Sequence, residues 1–543
     1  MENFGVVKEN LSISEAVLGV AKENLSKTAI TYMGRKISYK KLYKKVVELS
    51  LGFYLMGVKK GDVVLVALPN IPQAVYVLYA LNRIGAVPAF VSPLSGEYEL
   101  EEYINKCQAK VILALENLYE KFIGVFGRTG LKKLVITSVF DEIGLIKVNK
   151  KENAVLWHQI FKVKPKSNIY LSPSKAEDTA VILFSGGTTG KPKAVELTNL
   201  NLNALATGTE SACRKDVWGV KMLSVLPVFH GFGLGICIHT VLYFGGECIL
   251  IPRFESEKVG RIIRKNRPQY LAVVPAMLNP LMKSKAMAKA DLSLLSGVFS
   301  GGDSLSPELE KAFNDFLLNH NASVRIRQGY GLTECVASSC LMPADFVRSE
   351  SIGKPYPDTF YKIVKQNTLE EAKKGDTGEI CIRGKTVMKG YFKDEAETKN
   401  ALKLHPDGEI WLHTGDVGKI DEDGFVYFKG RIKEIIVSNG NNIYPSEIEK
   451  ALLKHKDIKE CCVVGVKDKA KGESAVAFAV MNNKSSETEE EKEELLKHMK
   501  KYISKQAMPE NIYFADKIPR TTLGKVKYGE VVKIAEKKTA DFY

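Results

Sequence analysis

The residues that decide the fold read TAVILFSGGTTGKPKAVELTN and span Thr179–Asn199. An apolar, β-branched run, Ala180–Phe184, leads directly into a loop of small, hydroxylated and cationic residues. Such a run predicts a buried β-strand, and glycines after it allow backbone N–H groups to turn toward one point. The stretch therefore predicts a strand followed by a loop that holds a polyphosphate.

The loop differs from a Walker loop, which has four residues between its first glycine and its Gly-Lys pair. Here only three residues separate Gly186 from Gly190, and Pro192 follows Lys191, which disfavours the helix start of a P-loop. The alternative is an ordinary surface loop rich in glycine and threonine. The predicted binding residues are Ser185, Gly186, Gly187, Thr188, Thr189, Gly190, Lys191 and Lys193.

Composition sets the size and the class of the protein. A chain of 543 residues exceeds one hydrophobic core, so at least two domains are expected. The formal charge of +15 suits an anionic partner, such as a nucleotide, coenzyme A, a nucleic acid or an anionic membrane, but a solubilising lysine-rich surface explains it equally well. Nine cysteines without a CxxC motif predict reduced thiols. No signal peptide or membrane-spanning run is evident, which predicts a cytoplasmic protein.

Strand-like and helical segments alternate as far as about Ile352. Examples are strand Asp62–Leu68, helix Pro72–Ile84 and strand Ala86–Phe90. This alternation predicts layered α/β structure with largely parallel sheets, in which ligands bind at the carboxyl ends of the strands. Short strands then predict a β-rich subdomain over about 352–432, and residues 433–543 predict a compact α+β domain that includes a strand over Cys461–Val466 and a helix over Glu489–Lys505.

A second set of ligand-binding groups occurs in QGYGLTE (Gln328–Glu334), after an expected strand over Ser323–Arg327. Gly329 and Gly331 permit close backbone approach, and the ring of Tyr330 offers a face on which a base can stack. Thr333 adds a hydroxyl, and the carboxylate of Glu334 is a hard oxygen ligand that suits Mg²⁺ on phosphates. Taken singly, Tyr330 could be a core aromatic residue and Glu334 a surface acid.

Four further segments carry candidate groups. Gly301 and Gly302 follow another strand and can bring backbone close to a base or a substrate. Asp416, in a TGD turn, could accept both hydroxyls of a ribose, with Arg431 on the other side. Lys525 lies in PRTTLGK near the C-terminus, and His230 in VFHGFGLG is as well explained by a structural role as by a functional one.

These segments, in this order and spacing, resemble the adenylate-forming superfamily of acyl-CoA synthetases, 4-coumarate–CoA ligases, firefly luciferase and nonribosomal peptide adenylation domains. The resemblance runs from about Ser12 to the end, and SGGTTG, QGYGLTEC and NGNNIYPSEIE are most similar to long-chain fatty acid–CoA ligases. It implies a large N-terminal adenylation domain (1–432) and a small mobile lid domain (433–543).

The resemblance also implies an ATP-dependent acyl-CoA synthetase that uses ATP, Mg²⁺, coenzyme A and a carboxylic acid. The catalytic residues would be Lys525, Thr188, Lys193, Glu334 and His230. The implied contacts to the triphosphate are Thr188, Thr189 and Lys193, and those to Mg²⁺ are Thr188 and Glu334. Around the nucleotide lie Gly301, Gly302, Tyr330 and their neighbours Gln328, Gly329, Gly331 and Thr333, with Asp416 and Arg431 at the ribose. Lys525 would contact the carboxylate and α-phosphate, Gly440 pantetheine, and His230 and Phe232 the acyl group, while Lys433 would be the hinge.

Alternatives remain open from the sequence. One is an acyl-AMP ligase that loads an acyl carrier protein, and another is an aromatic acid–CoA ligase, although small residues at Gly302, Gly329 and Ala337 favour a deep slot for a medium- or long-chain fatty acid. A third is a basic protein that binds membranes or nucleic acid on an inactive scaffold; the full set of ATP residues argues against it. We therefore expect no nucleic-acid partner and at most peripheral membrane contact.

Overall fold

The structure is a computed structural model that describes residues 9–144, 151, 153–161, 174–185, 192–213, 217–439, 441–468, 471–482, 488–520 and 526–540. The chain divides into two compact units, residues 1–361 with 382–412 and residues 362–381 with 413–543. Because the chain passes between these units more than once, the predicted domain boundary at Lys433 stays a prediction.

The elements alternate as the sequence predicts. Up to Pro355 they are α1 (Ile13–Glu23), β1 (Thr28–Tyr32), β2 (Arg35–Ser38), α2 (Tyr39–Leu55), β3 (Val63–Ala67), α3 (Pro72–Arg83), β4 (Val87–Phe90), α4 (Glu97–Cys107), β5 (Val111–Leu115), α5 (Tyr119–Phe126), β6 (Lys133–Thr137), β7 (Ala154–Leu156), α6 (Trp157–Ile160), β8 (Thr179–Ser185), β9 (Lys193–Thr198), α7 (Asn199–Cys213), β10 (Lys221–Ser224), a π-helix (Phe232–Thr240), α8 (Val241–Tyr243), β11 (Glu247–Leu250), α9 (Ser256–Asn266), β12 (Tyr270–Val273), α10 (Pro275–Met282), β13 (Gly297–Ser300), α11 (Pro307–Asn319), β14 (Ile326–Tyr330), β15 (Cys340–Leu341) and β16 (Lys354–Pro355).

The remaining elements are mostly strands. They are β17 (Thr359–Val364), β18 (Gly378–Gly384), β19 (Gly390–Tyr391), α12 (Glu395–Ala401), β20 (Leu402–Leu404), β21 (Ile410–Ile420), β22 (Val426–Arg431), β23 (Ile436–Ser438), β24 (Asn441–Ile443), α13 (Pro445–Leu453), β25 (Ile458–Asp468), β26 (Gly472–Met481), α14 (Glu489–Met499), β27 (Asn511–Phe514) and α15 (Tyr528–Ala540). Short 3-10 turns include Thr333–Cys335 and Ile432–Glu434.

The larger unit contains two sheets. The first has eight strands in the order β19-β9-β8-β4-β3-β5-β6-β7, and the second has nine in the order β16-β15-β14-β13-β12-β10-β11-β1-β2. Pairing from β8 through β4, β3, β5 and β6 to β7 is parallel. Strands such as Val63–Ala67 are buried at every residue, as expected when helices cover both faces of a parallel sheet. The predicted α/β architecture is confirmed.

One strand boundary differs from the prediction in a way that matters for the site. The expected strand Ser323–Arg327 is instead Ile326–Tyr330, so Gln328, Gly329 and Tyr330 belong to the strand and do not follow it. The reason is a later segment: β15 pairs antiparallel with this part of β14, joining Tyr330 to Cys340. The pattern of apolar residues within 323–330 cannot reveal this pairing with β15, a later segment of the chain.

The smaller unit contains a sheet in the order β24-β23-β26-β25, with β27 parallel to β26. Its long hairpin pairs Val463 with Ala477, and the predicted strand Cys461–Val466 is the middle of β25. The predicted helix Glu489–Lys505 is too long, because α14 ends at Met499. The amides of Tyr502 and Ile503 both donate to the carbonyl of Met499 at 2.8 and 3.1 Å, which closes the helix with a tight turn.

Candidate active site

The predicted polyphosphate loop follows β8 in the chain and precedes β9, and these two strands pair antiparallel. Ala180–Leu183 are buried, and Ser185 and Lys193 are direct register partners across β8 and β9. The predicted strand before the loop is therefore confirmed. Gly186, Gly187, Thr188, Thr189, Gly190 and Lys191 lie outside the described residues.

The structure brings Glu334 to the same strand end. The hydroxyl of Ser185 donates to Glu334 Oε1 at 3.0 Å, across 149 residues of sequence. A second hydroxyl, from Tyr391, donates to the same oxygen at 3.0 Å, and the amide of Met388 donates to the Glu334 carbonyl at 2.8 Å. The hydroxyls of Ser185 and Tyr391 thus hold the half-buried carboxylate at the end of β8, and the Met388 amide holds the backbone of Glu334.

Tyr391 stays protonated in this position. Burial, and then the neighbouring Glu334 carboxylate, raise the pKa of the phenol above its ordinary value of 10.0. The hydroxyl is therefore a donor to Glu334 throughout the neutral pH range. Tyr391 reaches the site because β19 pairs antiparallel with β9, opposite Val195.

Lys193 lies against two groups that sequence reasoning missed. Its ammonium donates to Glu397 Oε2, and it lies 4.9 Å from the centroid of the Tyr391 ring. Glu397 belongs to α12, the helix that follows β19. The site thus contains an ion pair and a cation–π contact in addition to the predicted cation.

Gly301 and Gly302 follow β13, and the backbone of Gly301 passes close to β14 near the predicted nucleotide. A β-carbon on Gly301 would lie 3.2 Å from the carbonyl oxygen of Gly329 and 3.3 Å from Cε1 of Phe232. Gly302 has φ +82°, which favours glycine. Gln328 does not face this gap with its amide, because its Nε2 donates to Glu310 Oε2 on α11 at 3.1 Å.

Three more predicted residues, Tyr330, Thr333 and His230, also belong to the larger unit. The ring of Tyr330 makes an edge contact with Tyr361, with centroids 6.4 Å apart, and remains partly exposed. Thr333 begins the short turn that carries Glu334. His230 lies just before the π-helix, and its half-buried ring is 4.8 Å from that of Phe229.

In the smaller unit, the predicted ribose pair is adjacent. Asp416 and Arg431 are register partners on β21 and β22, with Asp416 Oδ1 3.3 Å from Arg431 Nε. The predicted TGD turn is wrong, because these residues lie within β21, where Gly415 has a φ of +71° that bends the strand. Glu379, another residue that the sequence analysis missed, contacts this bend. Its two carboxylate oxygens accept from the Gly415 amide at 2.9 Å and contact His413 Nδ1 at 2.7 Å.

One more predicted residue of this unit lies within the described part of the chain. Lys433 lies in the 3-10 turn that directly follows β22 and is partly exposed. Gly440 and Lys525 lie outside the described residues. The structure therefore brings together Ser185, Lys193 and Glu334 in one unit, and Asp416 and Arg431 in the other.

Comparison with known proteins defines the class. The family described as AMP-binding enzyme matches residues 19–392, and the AMP-binding enzyme C-terminal domain matches residues 447–525. The chain belongs to the AMP-binding enzyme family, which confirms the predicted membership of the adenylate-forming enzymes.

Two curated relatives of the chain are CoA ligases. The chain is 32% identical over 525 residues to a long-chain-fatty-acid–CoA ligase of Bacillus subtilis, covering 92% of this chain and 90% of the relative. It is 30% identical over 508 residues to the 4-coumarate–CoA ligase CCL1 of Humulus lupulus, covering 91% and 88%. These relatives agree with the prediction of an AMP-forming acid–CoA ligase.

Solved structures support the fold. The ATP-bound MatB of Rhodopseudomonas palustris superposes with a TM-score of 0.86 at 23% identity, covering 97% of this chain and 99% of that one. A fatty acyl CoA synthetase of Mycobacterium tuberculosis gives 0.75 at 21% identity, covering 97% and 99%. Within the described part of the chain, no helix combines the length and apolar content needed to cross a membrane.

Proposed function

We propose that the chain is an AMP-forming carboxylate–CoA ligase whose acid substrate is a medium- or long-chain fatty acid. The observation that carries the proposal is the convergence of Ser185, Lys193 and Glu334 at the carboxyl end of β8, in a member of the AMP-binding enzyme family. A hydroxyl, an ammonium group and a carboxylate at one strand end suit a polyphosphate with its metal ion.

The chemistry has two steps at one site. The carboxylate of the acid attacks the α-phosphorus of ATP, and pyrophosphate leaves. The coenzyme A thiol then attacks the acyl carbon, and AMP leaves. Because the first attack joins two anions, the protein has to neutralise charge and orient the reactants.

The residues around Glu334 fit Mg²⁺. A carboxylate oxygen is a ligand that this ion prefers, and the hydroxyl donors of Ser185 and Tyr391 fix the Glu334 side chain in place. A bound Mg²⁺ supplies positive charge against the phosphate oxygens. We assign Thr188, outside the described residues, as the second ligand.

Lys193 is assigned to the triphosphate together with Thr188 and Thr189. Its ammonium is paired with Glu397 and lies over the Tyr391 ring, so phosphate oxygens compete with a carboxylate for it. Lys525 is assigned to the substrate carboxylate and the α-phosphate. Both assignments rest on the resemblance of the motifs.

The nucleoside contacts are assigned in the same way. Tyr330 presents a partly exposed ring to the adenine, beside Gly301 and Gly302. Asp416 and Arg431, already neighbours on paired strands, hold the ribose hydroxyls.

The mobile lid is also assigned by resemblance. Lys433 is the hinge of the C-terminal domain (433–543), and Gly440 borders pantetheine. The position of Lys433, just after β22, suits a hinge because a short turn can absorb a change in backbone angles.

The fatty-acid assignment rests on the apolar side chains beside two of the glycines. The ring of Phe232 borders Gly301, and the side chain of Val274 is 3.6 Å from where a β-carbon of Gly302 would lie. The same point on Gly329 is nearest to polar atoms, the Cys340 carbonyl oxygen at 3.2 Å and Ser338 Oγ at 3.3 Å. Larger residues at these glycines would fill that space. The curated long-chain-fatty-acid–CoA ligase agrees with this assignment, and the coumarate ligase supports an aromatic acid as the second candidate.

The test is AMP release from MgATP with a panel of acids, from acetate to palmitate and including benzoate, coumarate and D-alanine, each with and without coenzyme A. We expect CoA-dependent AMP release that is greatest for medium or long fatty acids. A maximum for coumarate would replace the substrate with the second candidate. Acid-dependent pyrophosphate exchange without a CoA effect would indicate a carrier-protein loader, and no release with any acid would contradict the proposal.

A further inference from the structure

Val336, two residues after Glu334, has an unusual backbone. Its φ of +64° and ψ of −60° are rarely adopted by any residue with a β-carbon, least of all a β-branched one. The amide of Ala337 donates to the Cys335 carbonyl at 2.7 Å and closes a three-residue turn around Val336, whose side chain is fully buried. Backbone strain of this kind persists only where the surroundings impose it.

The turn packs closely against the π-helix and against Gly231, the residue before it. A β-carbon on Gly231 would lie 1.4 Å from the Val336 carbonyl oxygen, and one on Gly235 would lie 3.1 Å from Val336 Cγ1. Both glycines therefore leave space that the carbonyl and the side chain of Val336 occupy. Helices of this kind occur often at functional sites.

The backbone that precedes Glu334 also packs closely, against the residues that follow Val336. A β-carbon on Gly331 would lie 1.5 Å from the Ala337 carbonyl oxygen, and the Ser339 amide donates to the Tyr330 carbonyl at 2.9 Å. Residues 330–339 therefore form a closed loop that is fixed on both sides. Glu334 lies at its tip, toward Ser185 and Tyr391.

We propose that Val336 is a positioning residue for Glu334: its strained turn, packed against Gly231 and Gly235, holds the carboxylate where Ser185 and Tyr391 meet it. The inference rests on the proposed function only in taking Glu334 as the Mg²⁺ ligand. Glu334 and Val336 belong to one short turn. A more mobile backbone at Val336 therefore makes the Glu334 carboxylate more mobile as well.

Val336→Gly tests this directly. Glycine accepts positive φ without strain and many other conformations as well, so the turn is no longer imposed. We expect the Mg²⁺ concentration that gives half-maximal AMP release to rise about tenfold, the typical cost of losing support behind a metal ligand. The KM for ATP at saturating Mg²⁺ should not change.

A binding measurement tests the role of Val336 without requiring turnover. The thermal midpoint of the full chain is compared with ATP plus Mg²⁺ and with ATP plus a chelator. We expect the Mg²⁺-dependent part of the ATP-induced shift to be clear in the wild type and to need a higher Mg²⁺ concentration in Val336→Gly.

Two further variants keep the test decisive. Val135→Gly, in β6, removes another fully buried valine and should leave the Mg²⁺ requirement unchanged. If Val336→Gly does not fold, Val336→Ala removes the methyl groups that pack beside Gly235 and should raise the requirement in the same direction.

Two outcomes overturn the inference: a folded Val336→Gly protein with the wild-type Mg²⁺ requirement, or an equal rise in Val135→Gly. A wild-type protein that forms no AMP with any acid contradicts the proposed function instead, and the Mg²⁺-dependent thermal shift then still decides the role of Val336.

Discussion

Tyr391→Phe removes one oxygen atom from the site and leaves the ring over Lys193. The lost group is a hydroxyl that donates to the Glu334 carboxylate at 3.0 Å. A hydrogen bond to a charged group contributes about 1.5–3 kcal/mol, which corresponds to about a 10- to 150-fold change in rate if the bond acts fully in the transition state. Because Ser185 still donates to the same oxygen and Glu334 is only half-buried, we expect the lower end, about tenfold.

The assay is steady-state AMP release with MgATP, the best acid and coenzyme A, at saturating Mg²⁺. Tyr32→Phe is the matched control, since its buried hydroxyl also makes one hydrogen bond, at 2.9 Å to the Val139 carbonyl, and it lies on β1. We expect kcat/KM to fall in Tyr391→Phe and to stay at the wild-type value in Tyr32→Phe. Equal activity of Tyr391→Phe and the wild type would refute the reasoning that this hydroxyl holds Glu334 for catalysis.

Three further predictions concern charge and pH. Glu397→Gln should lower the KM for ATP, at most about fivefold, because the carboxylate that competes for Lys193 is part of a partly exposed pair worth about 0.2–1 kcal/mol; a higher KM would show that Glu397 supports ATP binding. Lys525→Ala should abolish acyl-AMP formation but spare thioester formation from supplied acyl-AMP, and loss of both steps would contradict the assignment. Burial lowers the pKa of His239 from 6.5 to about 3, so the unfolded state binds its proton first as the pH falls. Unfolding free energy should therefore decrease by up to about 1.4 kcal/mol per pH unit below pH 6.5, and His239→Gln should flatten this slope; an unchanged slope in denaturant titrations would contradict it.

The sequence predicted those parts of the site that depend on residues close together in the chain. The buried run Ala180–Phe184 and the glycine-rich loop after it predicted a strand end with ligand groups, and the structure places Ser185 and Lys193 there as partners. Glu334 was predicted as a neighbour of the same ligand by its motif, and its hydrogen bond to Ser185 joins the two.

Other features depend on contacts between distant segments. Tyr391 and Glu397 reach Lys193 only because β19 pairs with β9, and nothing in the stretch around Tyr391 indicates that pairing. The backbone of Val336 packs against Gly231, about a hundred residues earlier, and the pattern of apolar residues does not indicate this contact.

The proposed function requires that the protein forms its CoA thioester in two steps, through an acyl-adenylate. The most direct measurement incubates the full chain with MgATP and palmitate in the absence of coenzyme A, identifies the products by mass, and then adds coenzyme A. We expect pyrophosphate and bound palmitoyl-AMP first, and then palmitoyl-CoA and AMP in equal amounts. Release of ADP and phosphate, or adenylate that coenzyme A does not discharge, would contradict it.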